Sequence, residues 1–181
     1  MKKLFTILSL LPLSMAIAGW NPFADQPSGA AAAVHSDAVA TVEKFKIVDP
    51  KLKTFFDKAY GYAVFPTVSK AGFGLGGAYG EGYVYKKSEF IGSSTLTQIT
   101  IGFQIGGQAY SEIIFFKDKS ALDKFTDDDF EIGAQISAIL LNKGASADAD
   151  YSDGVAVFTL PKGGLMYEAA IGGQKFNFEP K

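Results

Sequence analysis

The 181-residue chain has no cysteine, no arginine and a single histidine. Without cysteine there are no disulfides, no thiol nucleophile, no thiolate metal site and no thiol for a lipid anchor. Without arginine the chain lacks the planar fork that grips phosphates in pairs and reads guanine edges. All seventeen basic residues are lysine, and the net charge is −2. That composition speaks against a nucleic-acid binder. The one histidine, His35, has no neighbours suited to metal binding or acid–base work and reads as a solvated side chain. A serine triad would have to use it. After the N-terminal segment, no apolar run reaches the roughly 20 residues that a spanning helix needs.

What is present begins with an address. Lys2 and Lys3 precede the apolar run Leu4 to Leu13, and Ala16-Ile17-Ala18 has the small-x-small cleavage pattern. These residues predict a secretory signal peptide over 1–18. Residues 19–36, with Pro22, Pro27, Gly29 and a run of alanines, read as a linker, and 37–181 as a single domain. The expected address is periplasmic or secreted, with peripheral membrane association.

Two helices are predicted next. Ser36 or Asp37 caps the first, with Val39, Val42 and Phe45 along one side. Asp49-Pro50 starts the second, a cap followed by proline at the first helical position. Leu52, Phe55, Phe56 and Ala59 then fall at i, i+3, i+4 and i+7, and Gly61 ends the run. From Tyr62 the period becomes two. Thr97, Ile99, Ile101, Phe103 and Ile105 alternate with Gln98, Thr100, Gly102 and Gln104, which puts the apolar set on one face of a strand. Further strands are expected at 62–65, 73–79, 83–87, 108–116, 130–140, 155–160 and 165–171, with one short helix at 120–125. The pattern predicts an α+β fold: N-terminal helices packed on a strongly curved, mostly antiparallel β-sheet. Closure into a small barrel is one way such a sheet removes its edges.

The segment Lys70 to Gly82, KAGFGLGGAYGEG, contains the spacing G-x-G-x-x-G at Gly72, Gly74 and Gly77. A dinucleotide fingerprint needs a helix after the glycines. Here Ala-Tyr-Gly-Glu-Gly-Tyr-Val-Tyr follows, which favours strand and turn. The Gly-Lys-Ser/Thr of a P-loop is missing. GFGLGGAY at Gly72–Tyr79 is instead echoed by GFQIGGQAY at Gly102–Tyr110, and weakly by AIGGQKF at Ala170–Phe176. Glycines recurring inside strand-like sequence mark bulges, bends and close backbone approaches. They predict a tightly bent sheet and no nucleotide.

AYGYAVFPTVSKAGFGLGGAYGEGYVY, then FQIGGQAYSEIIFF, then a short helix and an ASADAD segment before two closing strands, resembles the SYLF lipid-binding domain. The likeness runs from about Val39 to Phe178, and Lys70–Gly82 is its most specific part. The resemblance implies a sheet-rich α+β domain without enzymatic activity. Its eukaryotic members bind phosphoinositides beside SH3 or FYVE domains, some fungal members bind actin, and bacterial members are commonly exported. No SH3 or FYVE sequence and no lipobox cysteine occur in these 181 residues, and bacterial membranes are not generally built with phosphoinositides. The expectation carried over is therefore binding of anionic phospholipids.

Charge is spread unevenly. Lys44, Lys46, Lys51, Lys53, Lys58 and Lys70 face only Glu43, Asp49 and Asp57, whereas between Asp118 and Asp153 nine carboxylates face three lysines. The five helix lysines form a candidate face for acidic head groups, each worth about 1 kcal/mol near such a surface. Lys70 is a separate candidate because it adjoins the glycines. A solubilising face accounts for the helix lysines equally well. Asp148, Asp150 and Asp153 only superficially resemble a calcium loop, since Ser152, Asp153 and Thr159 occupy positions that need a ligand, glycine and glutamate. Glu81, Glu112 and Glu168 lie near tyrosines in strand-like sequence, but only a suitable spacing would make a carboxylate pair catalytic. No enzyme activity, cofactor or metal is expected. The alternatives are a protein-interaction or structural module of the cell envelope and an outer-membrane barrel. Against the barrel stand the leading helices and the apolar runs Ile113–Phe116 and Ile139–Leu141.

Overall fold

A computed structural model of the chain describes residues 29–181 except 128, 129, 134, 135, 137 and 172; for 29–35 and 165–171 it describes backbone alone. The expected signal peptide and most of the expected linker lie outside these residues. The end of that linker is corrected: helix α1 runs Gly29–Val48, so the segment before Ser36 is already helical.

The Asp49-Pro50 start holds, but it opens a short 3-10 turn, Pro50–Leu52, before helix α2, Lys53–Lys58. Asp49 accepts from Lys51 N at 3.1 Å, which is the capping bond its sequence position predicts. Gly61 does not end the helix. Ala59 is the C-cap, and Gly61 is the first residue of strand β1, Gly61–Lys86. The remaining elements are β2 (Glu89–Phe116), α3 (Lys119–Thr126), β3 (Phe130–Ile132), β4 (Ile139–Leu140), a 3-10 turn (Ala145–Ala147), β5 (Val155–Ile171) and β6 (Gln174–Pro180). Strands expected as separate pieces are thus continuous, because a bulge bends a strand without ending it. The expected strand over 130–140 reduces to β3 and β4, and β6 extends beyond every expected strand.

Antiparallel pairing dominates. β1 lies along all of β2 from Gly61↔Phe116 to Lys86↔Glu89. On the other side of β2, its first arm pairs with β6 and its second with β5. β3 adds to β6, and β4 pairs parallel to β5. Among the described residues no pairing joins β1 to β3 or β4, so the sheet is a curled half-barrel and not a closed one.

Two apolar clusters hold it. On the inner face Phe65, Leu96, Ile114, Phe116, Phe125 and Phe176 are fully or almost fully buried, and α3 supplies Phe125 as a plug. Asp118 caps α3 by accepting from Ala121 N at 3.0 Å. On the outer face α1, the 3-10 turn Pro50–Leu52 and α2 place Phe45, Leu52 and Phe55 against Val64, Phe115 and Phe158. Burial of each such side chain contributes about 1.5–3 kcal/mol. Tilted and edge-on ring pairs, such as Phe55–Phe158 with centroids 5.0 Å apart, add specific geometry.

The glycines set the curl. A Cβ on Gly72 would lie 2.7 Å from Gly76 Cα. In a straight strand, residues four apart stand about 13 Å apart, so β1 turns a sharp corner here. Gly74, with φ +71, sits at its vertex in a conformation that disfavours a side chain. β2 turns beside it, taking four residue steps (Ile101 to Ile105) against two on β1 (Leu75 to Phe73). The curl brings Phe65 onto Gly82 of the same strand, where a Cβ would collide with the ring.

Candidate functional site

The corner separates two kinds of side chain. Inside it, Gln104 is completely buried against the bare Gly72 and Gly76. Its Nε2 donates to Thr100 O at 2.9 Å, and its Oε1 accepts from Thr100 Oγ1 at 2.7 Å. The carboxamide fills space that no larger apolar group could occupy without leaving these backbone groups unpaired. Outside it, the alternation read from the sequence is present with its apolar set facing solvent. Phe73 is 80% exposed, Ile99 and Ile101 71%, Phe103 65% and Leu75 62%. Ile105 and Tyr79 extend the patch, and Tyr79 Oη donates to the exposed Glu81 at 2.9 Å, which sets a carboxylate at its margin. Isolated exposed apolar residues are ordinary, but a contiguous group of this kind marks a contact surface.

The predicted lysines fall into two places. Lys44, Lys51, Lys53 and Lys58 are exposed on the helical layer, and Lys46 is half-buried there with its ammonium 5.0 Å from the centre of the Phe56 ring. Lys46 is tied to Glu43 at 2.9 Å and Lys53 to Asp57 at 2.6 Å, both exposed pairs worth little in stability. Lys51 and Lys58 line one cavity of about 390 Å³ with Phe55, Ser146 and Tyr151. Its far wall is fixed by Asp49, which accepts from Ser146 N at 2.8 Å and Ser146 Oγ at 2.6 Å. Burial works to raise the Asp49 carboxyl, but the Ser146 and backbone donors outweigh it and hold it below the ordinary value. Burial, assisted by Asp150, pushes the Tyr151 phenol up to about 12, so it stays a neutral donor.

Lys70 is not part of this face. It points to the inner face, 8% exposed, into a second pocket of about 260 Å³. Gln98 reaches that pocket from the first arm of β2, and Gln108, Tyr110 and Glu112 from the second, because the corner folds one arm over the other. Gln174 of β6 donates to Glu112 Oε2 at 3.0 Å. Glu112 is fully buried, and burial pushes its carboxyl up to about 7, with the Gln174 bond pulling the other way. Its Oε1 has no hydrogen-bond partner among the described residues. The side chain of Glu168 is outside the described set, so the carboxylate pairing considered from the sequence reduces here to Glu81, on the exposed face, and Glu112, on the inner one.

Sequence reasoning missed the outward corner and the pocket around Glu112. The sequence carries a signal for the pocket: Gln98, Gln104 and Gln108 repeat on the polar side of one strand, and polar side chains become inner ones where glycines curl a sheet.

Similarity to known proteins agrees with this architecture. A family model, Ysc84, described as Las17-binding protein actin regulator, matches residues 97–179. That match over residues 97–179 agrees with the resemblance to the SYLF family that the motifs carry. Among curated proteins it is similar to beta cell expansion factor A of Aeromonas veronii, with 31% identity over 130 residues. The match covers 70% of this chain and 49% of that protein, so the chain spans about half the length of the curated relative it matches.

Proposed function

We propose that this chain is an exported, non-enzymatic lipid-binding domain that seats on anionic phospholipid surfaces. The observation that carries the reading is the outward corner. Phe73, Leu75, Ile99, Ile101 and Phe103 project from a bend as a contiguous apolar group, with Glu81 only at its margin beyond Tyr79, which suits shallow insertion among acyl chains. The match of residues 97–179 to the Ysc84, or SYLF, family supports it. The exposed helix lysines supply the longer-ranged part. At about 1 kcal/mol each near an acidic bilayer they hold the protein weakly, and salt releases them. They lie away from the corner: Phe115, under the helices, is ten residues from Ile105, or about 33 Å along β2 before curvature.

Flotation with vesicles tests this. The protein is expected to float with phosphatidylglycerol or cardiolipin vesicles more than with phosphatidylcholine vesicles, and less as salt rises. Changing Phe73 and Phe103 together to Ser should weaken partitioning by at least about tenfold, because each buried aromatic contributes more than 1 kcal/mol. Changing Lys51, Lys53 and Lys58 to Glu should remove the salt-sensitive part. Absence of binding to every vesicle, with a protein partner retained through the same corner, would replace this reading with the interaction module. The description of the matching family as a Las17-binding protein actin regulator favours that second reading.

A further inference from the structure

Attachment at the corner leaves the opposite end of the half-barrel unexplained. The two arms of β1 run side by side away from the bend. Gly72 lies against Gly76, Gly80 against Thr67, Gly82 against Phe65 and Gly61 against Tyr85. The strand therefore goes out and comes back, and its ends meet where Lys87 N donates to Tyr60 O at 3.0 Å. β2 finishes at the same place, since Tyr60 N donates to Phe116 O at 2.9 Å. Gly74, at the vertex of the corner, is thirteen residues from Gly61 and twelve from Lys86. That is about 40 Å of strand before curvature. Half of it still exceeds the roughly 8–10 Å over which salt screens a charge, so the far end does not feel a bilayer that holds the corner upright.

That far end is basic in a chain whose net charge is −2. Lys58 of α2, Lys87 of the β1–β2 turn, Lys117 after β2 and Lys119 of α3 line one open cleft of about 610 Å³. Only Lys58 belongs to the helix lysines predicted from the sequence; the returning strands bring the others to it. The carboxylates beside them are engaged. Asp57 accepts from Lys53 with both oxygens, at 2.8 and 2.6 Å, Asp118 caps α3, and Glu89 accepts from Lys181 at 3.3 Å. Lys119 is paired with Asp123. Lys58, Lys87 and Lys117 have no side-chain partner among the described residues. Lys87 also has a φ of +56, a left-handed conformation in which glycine or asparagine sits with less strain. Closing the turn would not by itself select a lysine there, and strain of this kind gathers where a side chain has a use. None of the residues lining the cleft is buried, so nothing there would enclose a small molecule. Ammoniums on flexible stems, with no arginine fork among them, suit a dense and fluid array of anions.

We propose that the lysine cleft seats on a second acidic bilayer while the corner holds the first, so that one molecule bridges two membranes. This rests on the corner being a membrane contact.

Vesicles of phosphatidylglycerol and phosphatidylcholine, prepared in donor-labelled and acceptor-labelled batches and mixed with the full chain at sparse coverage, test the bridge. Clustering is expected, read as energy transfer between the batches and as growth in scattering, and salt should reverse it. Lys87→Asn/Lys117→Gln should still float with these vesicles but cluster them at least about tenfold more slowly, since each lysine contributes about 1 kcal/mol at such a surface. Both side chains are exposed and asparagine tolerates the turn, so the urea midpoint of this variant should not fall. Flotation of the wild type without clustering would mean that both ends lie on one bilayer; it would overturn the bridge and leave attachment at the corner standing. Clustering that persists in Lys87→Asn/Lys117→Gln, or among vesicles of phosphatidylcholine alone, would mean contact between protein copies and would also overturn it. The Phe73→Ser/Phe103→Ser protein separates the two claims. It should lose clustering yet keep salt-sensitive binding to phosphatidylglycerol vesicles, and adding Lys87→Asn/Lys117→Gln should weaken that remainder at least about tenfold. Wild-type clustering without the two aromatics would instead remove the corner as a membrane contact, and the bridge with it.

Discussion

Replacing Glu112 by glutamine should change how stability depends on pH, and the size of the change follows from burial. The carboxyl is fully buried, and its value is pushed from an ordinary 4.5 up to about 7. A group whose folded value is raised holds its proton more tightly folded than unfolded. Its contribution is therefore complete below about 4.5 and is lost progressively as the pH rises through about 7. The full gap corresponds to about 3 kcal/mol, most of which falls between pH 5 and pH 8. Glutamine keeps the shape and the neutral state at every pH. Urea unfolding of wild type and Glu112→Gln, followed by circular dichroism at unit steps from pH 5 to 8, isolates the term because all other titrating groups are common to both proteins. The wild type should lose about 1–2 M in midpoint relative to the variant across that range. Parallel midpoints would show that Glu112 is not buried in the inner pocket.

Two further substitutions test the fold that positions these features. Gly82→Ala places a Cβ against the fully buried ring of Phe65, which has no slack inside the curl; it should destabilise by about 1–3 kcal/mol in denaturant titration, and an unchanged stability would count against the curled path of β1. Ser146→Ala removes the hydroxyl that donates to Asp49 at 2.6 Å; a loss of about 1.5–3 kcal/mol near neutral pH is expected. Because Asp49 is held below its ordinary value, the stability it lends is present above that value and lost in acid, so the Ser146→Ala penalty should shrink as the pH falls below 4.

The local elements were legible where chemistry is local. Asp49-Pro50 announced a helical start, the stripe through Leu52 and Phe55 announced the face that packs on the sheet, and alternation announced the strands. The glycine echo announced bending, and Gly72, Gly74 and Gly76 do form the corner. Strand ends were less legible, because the same glycines that read as breaks are bulges through which the ladder continues, as at Phe73/Leu75. Lys70 was singled out for its neighbours in sequence and grouped with the helix lysines for its charge. Its direction depends on the bulge between Phe65 and Val68, which resets which residues of β1 face inward, and a register shift of one residue exchanges the two faces. No count of alternating residues can anticipate that.

The same reasoning accounts for the inverted corner. Alternation tells which side chains share a face; curvature decides what that face can hold. On the concave side of the bend, Gly72 and Gly76 approach so closely that only the tip of Gln104 fits, and its amide pairs with Thr100. The large apolar set of Ile99, Ile101 and Phe103 has no room there and is turned outward by geometry. The bend by itself requires only that the outer positions be occupied, and threonine or lysine would occupy them as well. That isoleucine and phenylalanine stand there instead requires something beyond the fold, since exposed apolar area adds nothing to folding and invites association. Serine at Phe73 and Phe103 should therefore leave folding stability within about 0.5 kcal/mol of wild type while weakening attachment to vesicles. A large loss of folding stability would mean that these side chains are packed within the domain, and the corner would no longer stand as a surface built for contact.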